Sequence, residues 1–160
     1  MKMFNLRRAL LRALLLTMPF FAIAAEASDA SGADVRLSEA WARATAPGAG
    51  VAAVYLVIQG GAREDRLIDV RTARAAMAQV HSVTTEAGIS RMREMSDGVV
   101  RPARGTVTFA PHGLHIMLMG LQSPLVAGES FTVTLEFAAA GKRDVPVQIQ
   151  PADSTGPVPH

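Results

Sequence analysis

Beyond residue 41 the chain alternates short apolar runs with clusters of turn residues. Residues 51–58 (VAAVYLVI) are apolar throughout, as a strand buried on both faces reads. Further runs follow at 66–71, 79–84, 89–95, 106–109, 114–119, 131–137 and 145–149. Between them stand Gln59-Gly60-Gly61, Glu86-Ala87-Gly88, Asp97-Gly98, Pro111-His112-Gly113, Gly128-Glu129 and Ala140-Gly141-Lys142. Short strands at this spacing predict an all-β domain, a sandwich or a barrel. A helical turn is compatible only with 72–78, and no longer stretch carries an amphipathic helical period. There is no internal repeat.

The two ends read differently. Lys2, Arg7, Arg8 and Arg12 precede an apolar run over 13–25, which closes on the small residues Ala22-Ile23-Ala24-Ala25. That is the three-part pattern of a secretory signal peptide over 1–25, cleaved near Ala24 or Ala25. The apolar run is too short to span a bilayer, which takes about 20 residues, and Pro19 interrupts it. No stable membrane insertion is expected after cleavage. Residues 26–35, opening EASDASGAD, read as a flexible lead, 36–150 as the β domain, and 151–160 (PADSTGPVPH) as a loose tail.

Removing the signal changes the charge. The whole chain has 16 basic and 14 acidic residues. The signal holds four of the basic ones, so 12 basic face 14 acidic, a balance of −2. No general nucleic-acid footprint remains. Cysteine is absent. That excludes disulfides, thiol nucleophiles, cysteine-ligated metal centres and a lipoprotein anchor.

Enzyme signatures are missing as well. The sequence has no Gly-x-Ser-x-Gly elbow, no phosphate-binding glycine loop and no His-Glu-x-x-His helix. Glu64-Asp65 are adjacent acids, read here as a solvated turn because neighbours on a strand face opposite ways. No catalytic residue is expected, and the chain is read as a non-enzyme.

Histidine and methionine carry more information. If 79–95 is a hairpin with a four-residue loop at 85–88, then Thr84 pairs with Ile89 and His81 with Met92. Directly opposed residues hold their Cβ atoms about 4.5–5.5 Å apart on one face. In 114–119, His115, Met117 and Met119 share one face, and Leu114, Ile116 and Leu118 take the other, toward the core. Were the two segments neighbours, two imidazoles and two thioethers would converge. A lone histidine on a strand is more often hydrogen-bonded than ligating, and alternate methionines more often fill a core. As a set, however, these donors suit a soft monovalent ion such as Cu(I) far better than Mg²⁺, Ca²⁺ or zinc. Thioethers also need no deprotonation and form no disulfides in an oxidising compartment.

With these residues in view, the chain resembles the periplasmic copper chaperone family of the PCuAC type. That family's pattern is His, ten residues, Met, twenty-one residues, then His-x-Met. His81 and Met92 keep the first spacing, 22 residues separate Met92 from His115, and His115-Ile116-Met117 completes it. WARAT (41–45), VAAVYLVI (51–58), DRLIDV (65–70), GISRMREM (88–95) and HIMLMGLQSPLVAGE (115–129) also look like family text. The resemblance covers roughly 36–149. The departures are the extra residue, expected within 96–101; Ser82 after the first histidine; Gln59 in place of asparagine; and His112 in place of a turn glycine.

The resemblance implies a cupredoxin-like Greek-key β-sandwich or barrel binding Cu(I) through His81, Met92, His115 and Met117. His112, Met119 and His160 are possible auxiliaries. It implies a monomeric periplasmic carrier that passes copper to an accepting protein, a cytochrome c oxidase copper domain, alone or with a Sco-type protein. Ligand exchange requires access, so His115 and Met117 are expected at a rim. Two readings compete: a metal-free periplasmic interaction or assembly module, and a copper-storage or resistance protein.

Overall fold

The computed structural model describes residues 34–157; the proposed signal peptide, nearly all of the lead and His160 lie outside them. Ten strands follow in order: β1 (Val35–Arg43), β2 (Val51–Gly60), β3 (Asp65–Arg71), β4 (Ala75–Glu86), β5 (Ile89–Glu94), β6 (Val99–Arg101), β7 (Thr106–Phe109), β8 (Leu114–Leu121), β9 (Ser130–Phe137) and β10 (Gly141–Gln150). Their pairing order is β5-β4-β8-β7-β2-β1-β10-β9-β3-β6, with β8 also pairing β2. No helix occurs among the described residues, and the all-β, cupredoxin-like architecture expected from the sequence is the one observed.

The apolar run of β2 has a structural cause. This strand pairs with β1, β7 and β8, so it is covered along both edges and at its centre on both faces. Val54, Leu56 and Ile58 enter the core, and Tyr55 stacks on Trp41 with ring centroids 4.7 Å apart. Phe109, Ile116, Leu118, Val133, Leu135 and Val147 fill the same core from β7, β8, β9 and β10. Burying a side chain of this size removes about 1.5–3 kcal/mol of apolar exposure.

Several expectations are corrected. Strands β1 and β6 were not foreseen. The first carries a bulge, with a register shift between Ser38 and Trp41 and Glu39 at a φ of 54°, which breaks its alternation. The second has only three residues. Residues 72–78 hold no helical turn: β4 begins at Ala75, because its early residues pair with β8. Nor is the tail loose up to residue 157. The Arg43 Nε donates to the Ser154 carbonyl at 2.7 Å, and Pro157 joins Trp41 in lining a cavity of about 520 Å³ across β1 and β10.

Asp65 is not part of a solvated turn either. It is buried, and its carboxylate accepts from the backbone N–H of Arg66 at 2.7 Å, Ala139 at 2.9 Å and Ala140 at 2.9 Å. The start of β3 is thereby tied to the turn between β9 and β10. Burial alone would raise its pKa, but the three N–H donors and the nearby Arg101 guanidinium together hold it below the usual carboxylate value.

Candidate metal centre

Strands β4 and β8 run antiparallel, with Val80 opposite Ile116 and Ala78 opposite Leu118 on the core face. The alternate positions form the outer face in three rows: His81 with His115, Gln79 with Met117, and Met77 with Met119. Period-2 alternation and one register therefore bring both histidines together. Their ring centroids are 6.0 Å apart, with the planes tilted by 50°. A single ion bonded to two imidazoles at about 2.0–2.1 Å sets the centroids up to roughly 6.4 Å apart, so the pair fits one shared ion.

Hydrogen bonds fix which ring nitrogens have a free lone pair. The His115 Nδ1 lies 3.1 Å from the Gly113 carbonyl, which can only accept. His115 therefore donates from Nδ1 and keeps its lone pair on Nε2. On β4 the Gln79 Nε2 donates to the Glu94 Oε1 at 2.8 Å, which turns the Gln79 Oε1 toward the His81 Nε2 at 3.4 Å. His81 thus donates from Nε2, and its lone pair sits on Nδ1. That Nδ1 is buried and has no hydrogen-bond partner. An unpaired buried polar atom costs about 1–3 kcal/mol, a cost that coordination of a cation would offset. Second-shell partners of this kind orient metal-binding histidines.

The thioethers need a correction of register. The β4–β5 hairpin turns on two residues, Ala87 (φ 48°) and Gly88 (φ 79°), not on four. Positive φ at both positions is the backbone of a two-residue hairpin turn, whose twist matches that of the strands. His81 consequently faces Glu94, and Met92 faces Val83. A slip of two residues keeps the face, so Met92 still lies on the histidine side, diagonal to His81. Diagonal neighbours, about 7–8 Å apart, remain within reach of long side chains.

Exposure differs from expectation. His115 is only 6% exposed, so it is not at a rim; Met117 is half-buried, and Met92, at 55%, is the open member of the set. His112 is exposed on the turn leading into β8, with a φ of 65°. Among the described residues, no group of three or more His, Asp or Glu is placed to hold a metal. Any ion here would therefore rely on two nitrogens and on sulfur, a donor set that favours a soft cation. Sequence reasoning missed Gln79 and Glu94, although Gln79 stands two residues from His81 and hence on its face.

This fold matches that of solved PCuAC domains. The copper-bound PCuAC domain from PmoF2 aligns at a TM-score of 0.61 and 26% identity, over 73% of this chain and 92% of that domain. The solution structure of CuI-DR1885 from Deinococcus radiodurans aligns at 0.62 and 27%, over 82% and 88%. In sequence, residues 35–149 match the family model described as "Putative lipoprotein LpqE-like", and the chain belongs to that LpqE-like family. A curated relative, "Putative lipoprotein Lxx21020" of Leifsonia xyli subsp. xyli (strain CTCB07), is 34% identical over 117 residues, 72% of this chain and 69% of the relative.

Proposed function

We propose that the protein is an exported Cu(I) carrier, not an enzyme, and that His81, Met92, His115 and Met117 are the copper ligands. The observation that carries this reading is the imidazole pair, ring centroids 6.0 Å apart, in which the buried His81 Nδ1 has no hydrogen-bond partner and His115 keeps its lone pair on Nε2. The copper-bound state of the PmoF2 domain and the Cu(I) state of DR1885 support it. Each ligand is neutral, so a monovalent ion is held without a strong charge to overcome on release.

The gradient of exposure suggests the order of exchange. Met92 leaves first because it is exposed and on the edge hairpin, while His115 is held to the Gly113 carbonyl and leaves last. An incoming donor takes the place of the Met92 thioether before the ion is freed. In this reading the protein works as a periplasmic monomer and hands copper to an accepting protein, a cytochrome c oxidase copper domain, alone or with a Sco-type thiol protein. The extra residue between Met92 and His115 falls in the connection from β5 to β8 and leaves the β4–β5 and β4–β8 registers intact.

An anaerobic Cu(I) titration of the purified protein against a coloured chelator tests this, with Met92→Leu and His115→Ala alongside. One tight equivalent is expected, weakened tenfold or more in each variant while the β-sheet circular dichroism is kept. If the folded wild type does not compete with the chelator, the carrier reading is wrong and a metal-free interaction module takes its place.

A further inference from the structure

The methionines of the outer face extend beyond the proposed ligands. Met77 stands directly opposite Met119 across β4 and β8, and Met119 is opposite Val51 on β2. Met117 occupies the next row on the same face, between that pair and the histidines. Met77 is 53% exposed. Core filling does not explain these side chains: Met95 packs against the buried cluster, whereas Met77, Met92, Met117 and Met119 do not. Met77 and Met92 are exposed and Met117 and Met119 half-buried, so the exposed thioethers otherwise carry an oxidation liability without a packing return.

The backbone at this end of the ladder is held firmly. The N–H groups of Gly120 and Leu121 both donate to the Gly50 carbonyl, at 2.8 and 3.2 Å. Gly120 has a φ of 67°, and a Cβ there would come within 2.9 Å of the Ala76 Cβ, so glycine is required for this close approach of β4 and β8. The Met77–Met119 pair is therefore presented by two tightly joined strands. Opposed Cβ atoms about 4.5–5.5 Å apart allow two thioether sulfurs to meet on one ion.

We propose that Met77, Met119 and the shared Met117 form a second, weaker site for a soft monovalent cation, an entry and exit station for the histidine site. Two residues along a strand span about 7 Å, so the His81–His115 and Met77–Met119 rows lie about 14 Å apart, with the row of Met117 midway between them. Met117 exchanges the ion between them by swinging its thioether from one row to the next. No redox change or proton transfer is involved, since thioethers bind as neutral donors. The proposal rests on the Cu(I)-carrier reading for its physiological ion, but Met77 and Met119 belong to the second site alone.

The test uses Ag(I), which is redox-inert, and the protein labelled with ¹³C at its methionine methyl groups. Ag(I) is titrated into the wild type, a Met77→Leu/Met119→Leu variant and a His81→Ala/His115→Ala variant. Leucine keeps the apolar surface and removes only the sulfur. In the wild type, the first equivalent is expected to shift the Met92 and Met117 methyl signals, and the second those of Met77 and Met119. The leucine variant should keep the first equivalent and bind the second at least tenfold more weakly. The alanine variant, checked for a folded spectrum, should still shift Met77 and Met119. Met77 and Met119 signals that stay fixed through two equivalents, while Met92 and Met117 respond, overturn the second site and leave the carrier reading standing. A response at Met77 and Met119 alone upholds the second site and sinks the carrier reading.

Discussion

Replacing Asp65 by asparagine should destabilise the protein by about 3 kcal/mol at pH 7. The size follows from its three bonds. Oδ1 accepts from Arg66 and Ala139, and Oδ2 from Ala140. Asparagine preserves the shape but offers one accepting oxygen, so its Nδ2 meets the N–H of Ala140 and leaves that donor stranded. A hydrogen bond to a charged group contributes about 1.5–3 kcal/mol, and a stranded buried donor costs about 1–3 kcal/mol; these overlap, and the two bonds kept at Oδ1 weaken to neutral strength. For a domain of this size the loss lowers Tm by about 12 °C. The sign of the pH dependence follows from the lowered pKa of Asp65. Its stabilisation is complete above the unfolded value of about 3.9 and is lost as pH falls through the folded value. The gap between wild type and variant should therefore be full at neutral pH and shrink toward pH 3. Urea unfolding followed by the fluorescence of Trp41, the sole tryptophan and buried, reads both. Using the difference between the two proteins cancels the other carboxylates. A gap below about 1 kcal/mol at pH 7, or one unchanged at pH 3, would refute the ionised clamp. None of these bonds reaches β4, β5 or β8, so copper stoichiometry should not change.

Two further outcomes test the site and its approach. Gln79→Ala breaks the chain from Glu94 to His81 and should weaken Cu(I) binding by about 10–100-fold without unfolding the sheet, as chelator competition would show. His112→Gly relieves a side chain from a left-handed backbone, φ 65°. Less the added chain entropy of glycine, it should raise stability by about 0.5 kcal/mol, measured as a shift in the urea midpoint.

Much of the architecture was legible because burial imposes a period. The 51–58 run announced a doubly covered strand, as its buried centre at 54–56 shows, and alternation over 114–119 placed Ile116 and Leu118 in the core, although it gave no sign that His115 is buried too. Strands β1 and β6 were not legible. A bulge at Glu39 interrupts the alternation of the first, and three residues are too few to show a period in the second. Asp65 was misread because adjacent acids resemble a surface turn; only the return of residues 139 and 140 from far along the chain supplies the N–H donors that bury it.

The candidate site divides in the same way. Sequence by itself determined the donor chemistry: with no cysteine, a soft site must be built from imidazole and thioether, and His115-x-Met117 must share a face on any strand. The tertiary structure decided which donors meet. Whether β4 lies beside β8, and in a register that opposes His81 to His115, depends on long-range pairing that no local pattern encodes. The hairpin register depended on turn geometry, where two residues at positive φ replaced the expected four and moved Met92 to the diagonal. Met92 nevertheless kept its face, because a slip of two residues preserves the parity of a strand and a slip of one would have reversed it.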